Sequence, residues 1–364
     1  MARNQRIFYA CQAVAITGRG GALNAANVVK GLQSVGMSST FTLDQVFEMG
    51  QIEIYENIEE VADVEVTLEK VIDGEKLIYD LASSGACKTD VVAATKARCD
   101  VYLAVFDDGL SHATGVPRNV CFNSGMFISS VAYNYSIDGS ATESVTLVGN
   151  DRFWNDSAGA KGVLGASSLQ SPSGKWRTNE RKNFDHPEFD GTQVSAIPSG
   201  ITFEFDGTDT PVSGVTRRVD VNISDSTLPA LVKVQGGDDS SGEAGVSDNA
   251  HIQSISVSTD FGQENIQELG RFGPYHRYAT FPVEVTCDFE VLATSGGLID
   301  VSGANVNLSN DQIIIKDNAG TVIDLGNKNK LSSVSYSGGD TGGGNATVSY
   351  SFSNFNVLTV NGGS

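Results

Sequence analysis

The chain has 364 residues, 40% of them hydrophobic, which is enough for two or three packed cores and excludes a disordered polypeptide. A formal net charge of -20 excludes a protein that grips nucleic acid by neutralising phosphates, because such binding needs lysine and arginine in excess. Five cysteines at wide, unpatterned spacings, with no CxxC and no Cys/His pair, exclude a zinc module and read as reduced, mostly buried thiols of a cytoplasmic protein.

Forty glycines among many Ser, Thr, Asn and Val residues predict strands joined by turns. Residues 7–17 read as a strand, broken by Gly18, Gly20 and Gly21 before a helical pattern over 22–32. The GRGG lacks the third glycine of a dinucleotide loop, since Leu23 stands there, and no strand–helix alternation follows. Residues 41–55 read as one strand. Residues 61–71 alternate cleanly, with Val64, Val66 and Leu68 on one side and Asp63, Glu65, Thr67 and Glu69 on the other, which predicts a half-buried strand. Asp73-Gly74 makes a turn, and Leu77, Ile78 and Leu81 fall at helical spacing over 75–82. Thr89 caps a second short helix to about Ala97, and 101–106 is a strand. Residues 119–127 and 130–136 read as two strands, followed by a turn at 137–140 and a strand over 144–148.

Composition then shifts to Gly, Ser, Asp and Pro from 155 to 249, with short apolar alternations only at 200–205, 216–223 and 228–234; an ordered β insertion with flexible tips at 236–247 is expected. From His251 onward the strand pattern returns over 252–257 and 283–291. Short strands follow near 313–315 and 322–323, and a last hairpin pairs 332–336 with 347–355.

This second stretch repeats the first. At an offset of 220, Gln33, Ser34, Ser38, Phe41, Glu48, Gly50 and Tyr55 recur as Gln253, Ser254, Ser258, Phe261, Glu268, Gly270 and Tyr275. One residue of slippage then matches VEVT at 64–67 to VEVT at 283–286. Downstream, Ser129, Ser130, Val131 and Tyr133 recur as Ser332, Ser333, Val334 and Tyr336. Two matches in one order indicate a tandem duplication of a unit of roughly a hundred residues. The expected division is 1–154 as a first repeat, 155–249 as a linking β segment, and 250–364 as a second repeat.

No residues assemble into an active site. His112, His186, His251 and His276 have no second histidine at ligand spacing, the acids of 185–190 and 206–209 sit in turns without EF-hand spacing, and no serine lies in a GxSxG elbow. The expectation is a non-enzyme with no cofactor and no metal. The run RFGPYHRY at 271–278 is basic and aromatic; an RNA-binding patch is its sharper reading, and a loop touching a neighbouring subunit through Arg271, Tyr275, Arg277 and Tyr278 is the one favoured by the surrounding acidity.

At FGQENIQELGRFGPYHRYATFPVEVTCDFEV, and again at VEVTLEKVIDGEKLIYDLA, the sequence resembles tail tube proteins of long-tailed bacteriophages. The shared pattern is a long strand, a loop closing on glycine, a VEVT strand, then DG and a short helix. The resemblance implies a mainly β chain with short flanking helices, in which two tandem tail-tube-like β-sandwich or barrel units lend strands to an oligomeric β-barrel ring. A duplicated subunit of this kind resembles those that form trimers with six pseudo-equivalent positions. About 24 strands at ~4.8 Å spacing give an untilted diameter of roughly 37 Å, wide enough for a duplex.

It further implies a virion tail location after assembly in the host cytoplasm. Implied partners are further copies of the chain, tape-measure, tail terminator and baseplate or sheath proteins, and double-stranded DNA that passes without specific binding; no membrane is implied. An acidic lumen suits such passage, because a wall that bound phosphates would stall the genome. Asp63, Glu65, Glu69, Glu284 and Asp288 are the lumen-lining candidates; the plainer alternative is that they only solubilise the outer surface. Other readings are a baseplate hub or tail-completion protein, and a glycan-binding β module stacking sugars on Trp154, Trp176 and Tyr275.

Overall fold

The computed structural model describes residues 7–19, 25–83, 91–106, 119–155, 214–229, 231–232, 251–269, 274, 276–293, 310–339 and 344–362. A 3-10 turn (Tyr9–Cys11) leads into β1 (Gln12–Gly18), and a second (Ala25–Asn27) precedes β2 (Leu32–Thr40). Of the helix expected over 22–32, the described part from 25 onward is replaced: Val29 N–H donates to Val14 O at 2.9 Å, Val28 bridges Ala15, and Gly31 turns the chain with φ at +70°. Nor is 41–55 one strand; it folds back as a hairpin of β3 (Leu43–Phe47) and β4 (Ile54–Glu59). Then come β5 (Asp63–Val71), α1 (Ile78–Ala82), α2 (Val91–Lys96), β6 (Cys99–Val105), β7 (Asn119–Ser136), β8 (Thr142–Gly149) and β9 (Asp151–Asn155).

The two strands expected at 119–136 are one. The chain passes the expected gap at 128–129 as a register shift against β8, and at Gly125, φ +63°, a second bulge is pinned by Asp100, which accepts from Ser124 Oγ (3.0 Å) and Gly125 N–H (2.9 Å). The later part comprises β10 (Ile252–Asp260), β11 (Gln263–Ile266), β12 (His276–Ala279), β13 (Glu284–Leu292), β14 (Ile314–Lys316), β15 (Val322–Asp324), β16 (Lys330–Ser337), β17 (Thr347–Phe355) and β18 (Thr359–Asn361). Within the expected insertion, 200–205 and 236–247 lie outside the described residues. Residues 214–229 form no strand but tie into both parts through Thr216 N–H to Ile72 O (2.7 Å) and Asn222 N–H to Lys316 O (2.9 Å).

The protein is mainly β. Its central sheet runs β2-β5-β8-β7-β10-β13-β17-β16, antiparallel at every join, while the N-terminal half of β7 carries a side arm of β1, β6 and β9. The last four strands repeat the pairing of the first four. Ser34 opposes Glu69 after a bulge, as Ser254 opposes Glu290 after a bulge; Val64 opposes Gly149 as Val285 opposes Asn354; Ile128 opposes Leu147 before a bulge as Leu331 opposes Phe352 before one. The strand ladder therefore aligns Val64 with Val285, two residues beyond the VEVT match in the sequence. Because strand side chains alternate with period two, that shift leaves every residue on its face.

Val64, Val66, Leu68, Val285, Cys287, Phe289 and Val291 all bury toward one side of the sheet, where α1 and the side arm cover the first half. The second half is underlain by the small sheet β14-β15-β18, whose Ile315, Ile323 and Val360 join the same core. Cys11, Cys99, Cys121 and Cys287 are free thiols and buried, and burial pushes the Cys121 thiol up to about 12.

Candidate functional site

Alternation in the eight central strands places one kind of side chain on the face away from the core. Facing pairs run Ser38–Glu65, Glu69–Ser144, Ala132–Ser144, Ser258–Ala132, Ser256–Asp288, Thr286–Ser353 and Ser335–Ser349 across the whole sheet. Hydroxyls bond across the joins: Ser34 Oγ donates to Glu69 and Ser254 Oγ to Glu290, each at 3.3 Å, and Ser256 Oγ donates to Asn134 Oδ1 at 2.9 Å. Ser351 Oγ donates to Asp288. Small hydroxyl side chains bond to carboxylates and an amide here without projecting far, so the wall is largely polar and low, with Val148 beside Glu65 and the exposed Phe355 beside Glu284 as its apolar interruptions.

All five lumen-lining candidates lie on this face. Asp63, Glu65 and Glu69 stand on β5, and Glu284 and Asp288 on β13, the strand that holds the same place among the last four. Glu290, not singled out from the sequence, belongs with them: its counterpart is Glu69, and the matching serine bonds were the signal. Two acidic ribs, each flanked by serine-rich strands, are thus spaced half a sheet apart. Between them the face is hollowed into an open groove of about 670 Å³, lined by Ser130, Ala132, Ser144, Ser258, Asp260 and Glu284 among others. Asp63, at the end of its rib, meets Arg277 Nη2 at 3.1 Å.

Among the described residues, both outer strands are unpaired on one side. The join of β7 and β10 shows what their positions look like when paired: Val257 opposes Tyr133 and Ile255 opposes Tyr135, all four buried. The counterparts on the free edges are Met37 and Val35 on β2, half-buried, and Tyr336 on β16, 46% exposed. Edges of this length and apolarity are normally covered in a lone soluble protein.

Among the inter-subunit candidates, Arg271 and Tyr275 lie outside the described residues. Arg277 is buried and donates to Asp63 and to Asn150 Oδ1 at 3.2 Å within the chain, burial lowering its pKa and Asp63 raising it; Tyr278 is 44% exposed. His276 Nδ1 meets Arg98, whose guanidinium lies 5.1 Å above the Phe127 ring. His112, His186, Trp176 and the acids of 185–190 and 206–209 are outside the described residues, as is Cys87. Among the described residues no three His, Cys, Asp or Glu converge on a metal site, and no helix is long and apolar enough to cross a membrane.

No protein-family model and no curated relative matches the chain. Among solved structures, part of it is similar to a component of the extended sheath-tube complex of an extracellular contractile injection system, PVC, at 11% identity over 42% of this chain and 94% of that one, TM-score 0.32. It is also similar to the tube-terminating cap of the anti-feeding prophage, at 11% identity over 43% and 95%, TM-score 0.32. A component of that prophage's baseplate is similar at 13% identity over 42% and 97%, TM-score 0.31.

Proposed function

We propose that this chain is a structural tail protein, a tube subunit whose duplicated halves build rings of three around a channel for the genome. The single observation that carries the reading is the β7–β10 join. It links the last strand of one four-strand set to the first strand of the next, and the free edges β16 and β2 are those same two strands of the set. A second copy that places its β2 against β16 repeats a join the chain already makes internally. Such a head-to-tail contact either closes into a ring or runs on as a filament. Six sets in a closed ring leave no edge open.

The wall facing the channel is then the hydroxyl-rich face with its acidic ribs. Carboxylates there repel phosphate, and serines offer duplex DNA nothing to bind tightly. Stacked rings would form the tube and meet the tape-measure, terminator and baseplate or sheath components at its ends. A baseplate hub or tail-completion role would use the same ring without stacking.

Transferring the internal register, Ser258 opposite Ala132 becomes Ser38 opposite Ser335 between chains. A Ser38→Cys, Ser335→Cys chain, oxidised mildly, should give a covalent trimer ladder in denaturing gels, and electron microscopy should show rings or stacked tubes. A chain that stays monomeric at high concentration and forms no such disulfide sinks the reading. Charge reversal of Glu65, Glu69, Glu284 and Asp288 to lysine should make the assembled rings retain duplex DNA in a salt-dependent way. With about eight charge units changed per chain, retention should fall by orders of magnitude between 50 and 200 mM salt. The native assembly should retain none.

A further inference from the structure

The hairpin of β3 and β4 has too much exposed apolar surface for a loop in water. Phe41, Leu43, Phe47, Ile54, Tyr55 and Ile58 are each between 41% and 63% exposed, and at the tip Met49 and Ile52 are fully so. Every residue of β3 is exposed. Apolar exposure on this scale, on both faces of a hairpin, marks an interaction surface.

Its occupant is indicated by a second hairpin in the same chain. β11 and β12 pair in the same register, Gln263 with Ala279 where the first pairs Leu43 with Glu59, and they occupy the same place between an edge-type strand and an acidic rib. That second hairpin is held by the half across the join, not by its own. Phe261 N–H donates to Ser129 O at 2.8 Å, and its ring is fully buried, 6.4 Å from Tyr79 and nearly parallel to it. Gln263 Nε2 donates to Ile128 O at 3.1 Å, and Arg277 reaches Asp63. Among the described residues the first hairpin has no half across its join, since β2 is the outer strand there.

We infer that the hairpin of residues 41–60 straps onto the second half of a second copy of this chain, beside that copy's β16. The inference rests on the ring reading and adds a contact to it. Phe41, the counterpart of Phe261, meets the neighbour beside Ser332, the residue matching Ser129. Asn57, which stands where Arg277 does, faces Glu284, which stands where Asp63 does. The difference in chemistry follows from connectivity. The second hairpin is tethered to its target by the chain and makes polar contacts beyond its one buried ring, whereas the first must hold a separate molecule, and Leu43 accordingly replaces Gln263.

The test uses the full chain with two cysteine pairs. Asn57→Cys with Glu284→Cys, treated with a short bis-maleimide, should yield covalent multimers as the Ser38→Cys, Ser335→Cys disulfide does. Cross-linking at the edge pair alone would overturn the strap while leaving the ring intact; failure of both would remove the ring reading itself. As a second measurement, Phe41→Ser with Leu43→Ser should weaken assembly on the order of a hundredfold, because two apolar side chains lose their burial. Its monomer should keep its fold, as Phe41 and Leu43 are 43% and 53% exposed in the single chain. Unweakened assembly of that variant would also overturn the strap.

Discussion

Met37→Lys should abolish assembly and leave the fold of the single chain intact. Met37 lies mid-way along β2 and is only half-buried, so a lysine there can run its stem along the surface and keep the ammonium in water. Between chains the position changes character. Its counterpart Val257 and the facing Tyr133 are fully buried, so in the joined sheet Met37 opposes Tyr336 in a dry seam. Desolvating an unpaired ammonium costs several kcal/mol, and each 1.4 kcal/mol is tenfold in association, so every β2–β16 contact weakens by about a thousandfold or more. Sedimentation velocity should show only monomer, while the melting free energy stays within about 0.5 kcal/mol of the parent. Adding Tyr336→Asp should restore part of the association by pairing the two charges. Rings formed by the lysine variant alone would mean that these edges are not the seam.

The elements that alternate strongly were legible in the sequence for the reason that makes them strands. β5 and β13 each bury one side and wet the other, so their faces, and the acids on them, follow from period-two spacing alone. The same periodicity concealed a small error. Matching VEVT to VEVT slides β13 two residues along its partner, and a shift of two preserves every face while changing every neighbour. Only the ladder, with Ser39 opposite Val64 and Thr259 opposite Val285, brings Glu69 and Glu290 into correspondence.

Other features depend on contacts far off in the chain. The apolar spacing over 22–32 satisfies a helix, but Val28 and Val29 are drawn onto β1, and packing outweighs a helix propensity of a few tenths of a kcal/mol per residue. The break expected between 127 and 130 is only a register shift against β8 within one continuous strand. The free edges could not be read at all from spacing, since β2 and β10 carry one pattern and differ only in whether a strand lies beyond them. Exposure, not sequence, separates Met37 from Val257.

The halves also differ inside, and there the largest loss of stability is expected. Lys70 opposes Glu143 where the second half has Val291 opposite Val348, so the sheet itself needs nothing ionic at that point. Glu143 instead serves α1. Its carboxylate accepts from the N–H groups of Ile78 (2.6 Å) and Tyr79 (3.0 Å) at the start of the helix and from the Tyr133 hydroxyl (3.2 Å). Burial pushes its pKa up, and Lys70, those two N–H groups and the Tyr133 hydroxyl pull it back. Lys70 is fully buried too, bonded to Lys76 O at 2.8 Å and to Asp73 at 3.2 Å. Glu143→Val therefore strips two helix donors of their acceptor and leaves a buried ammonium with one fewer counter-charge. Removing one member of a buried pair costs about 3–5 kcal/mol. Urea unfolding in the Met37→Lys background, where association does not contribute, should register that loss. Adding Lys70→Val should not deepen it by the full cost of a second buried residue, because the stranded charge goes with it. A loss below about 1 kcal/mol for Glu143→Val would mean that the carboxylate is dispensable and that α1 is held by its apolar face alone.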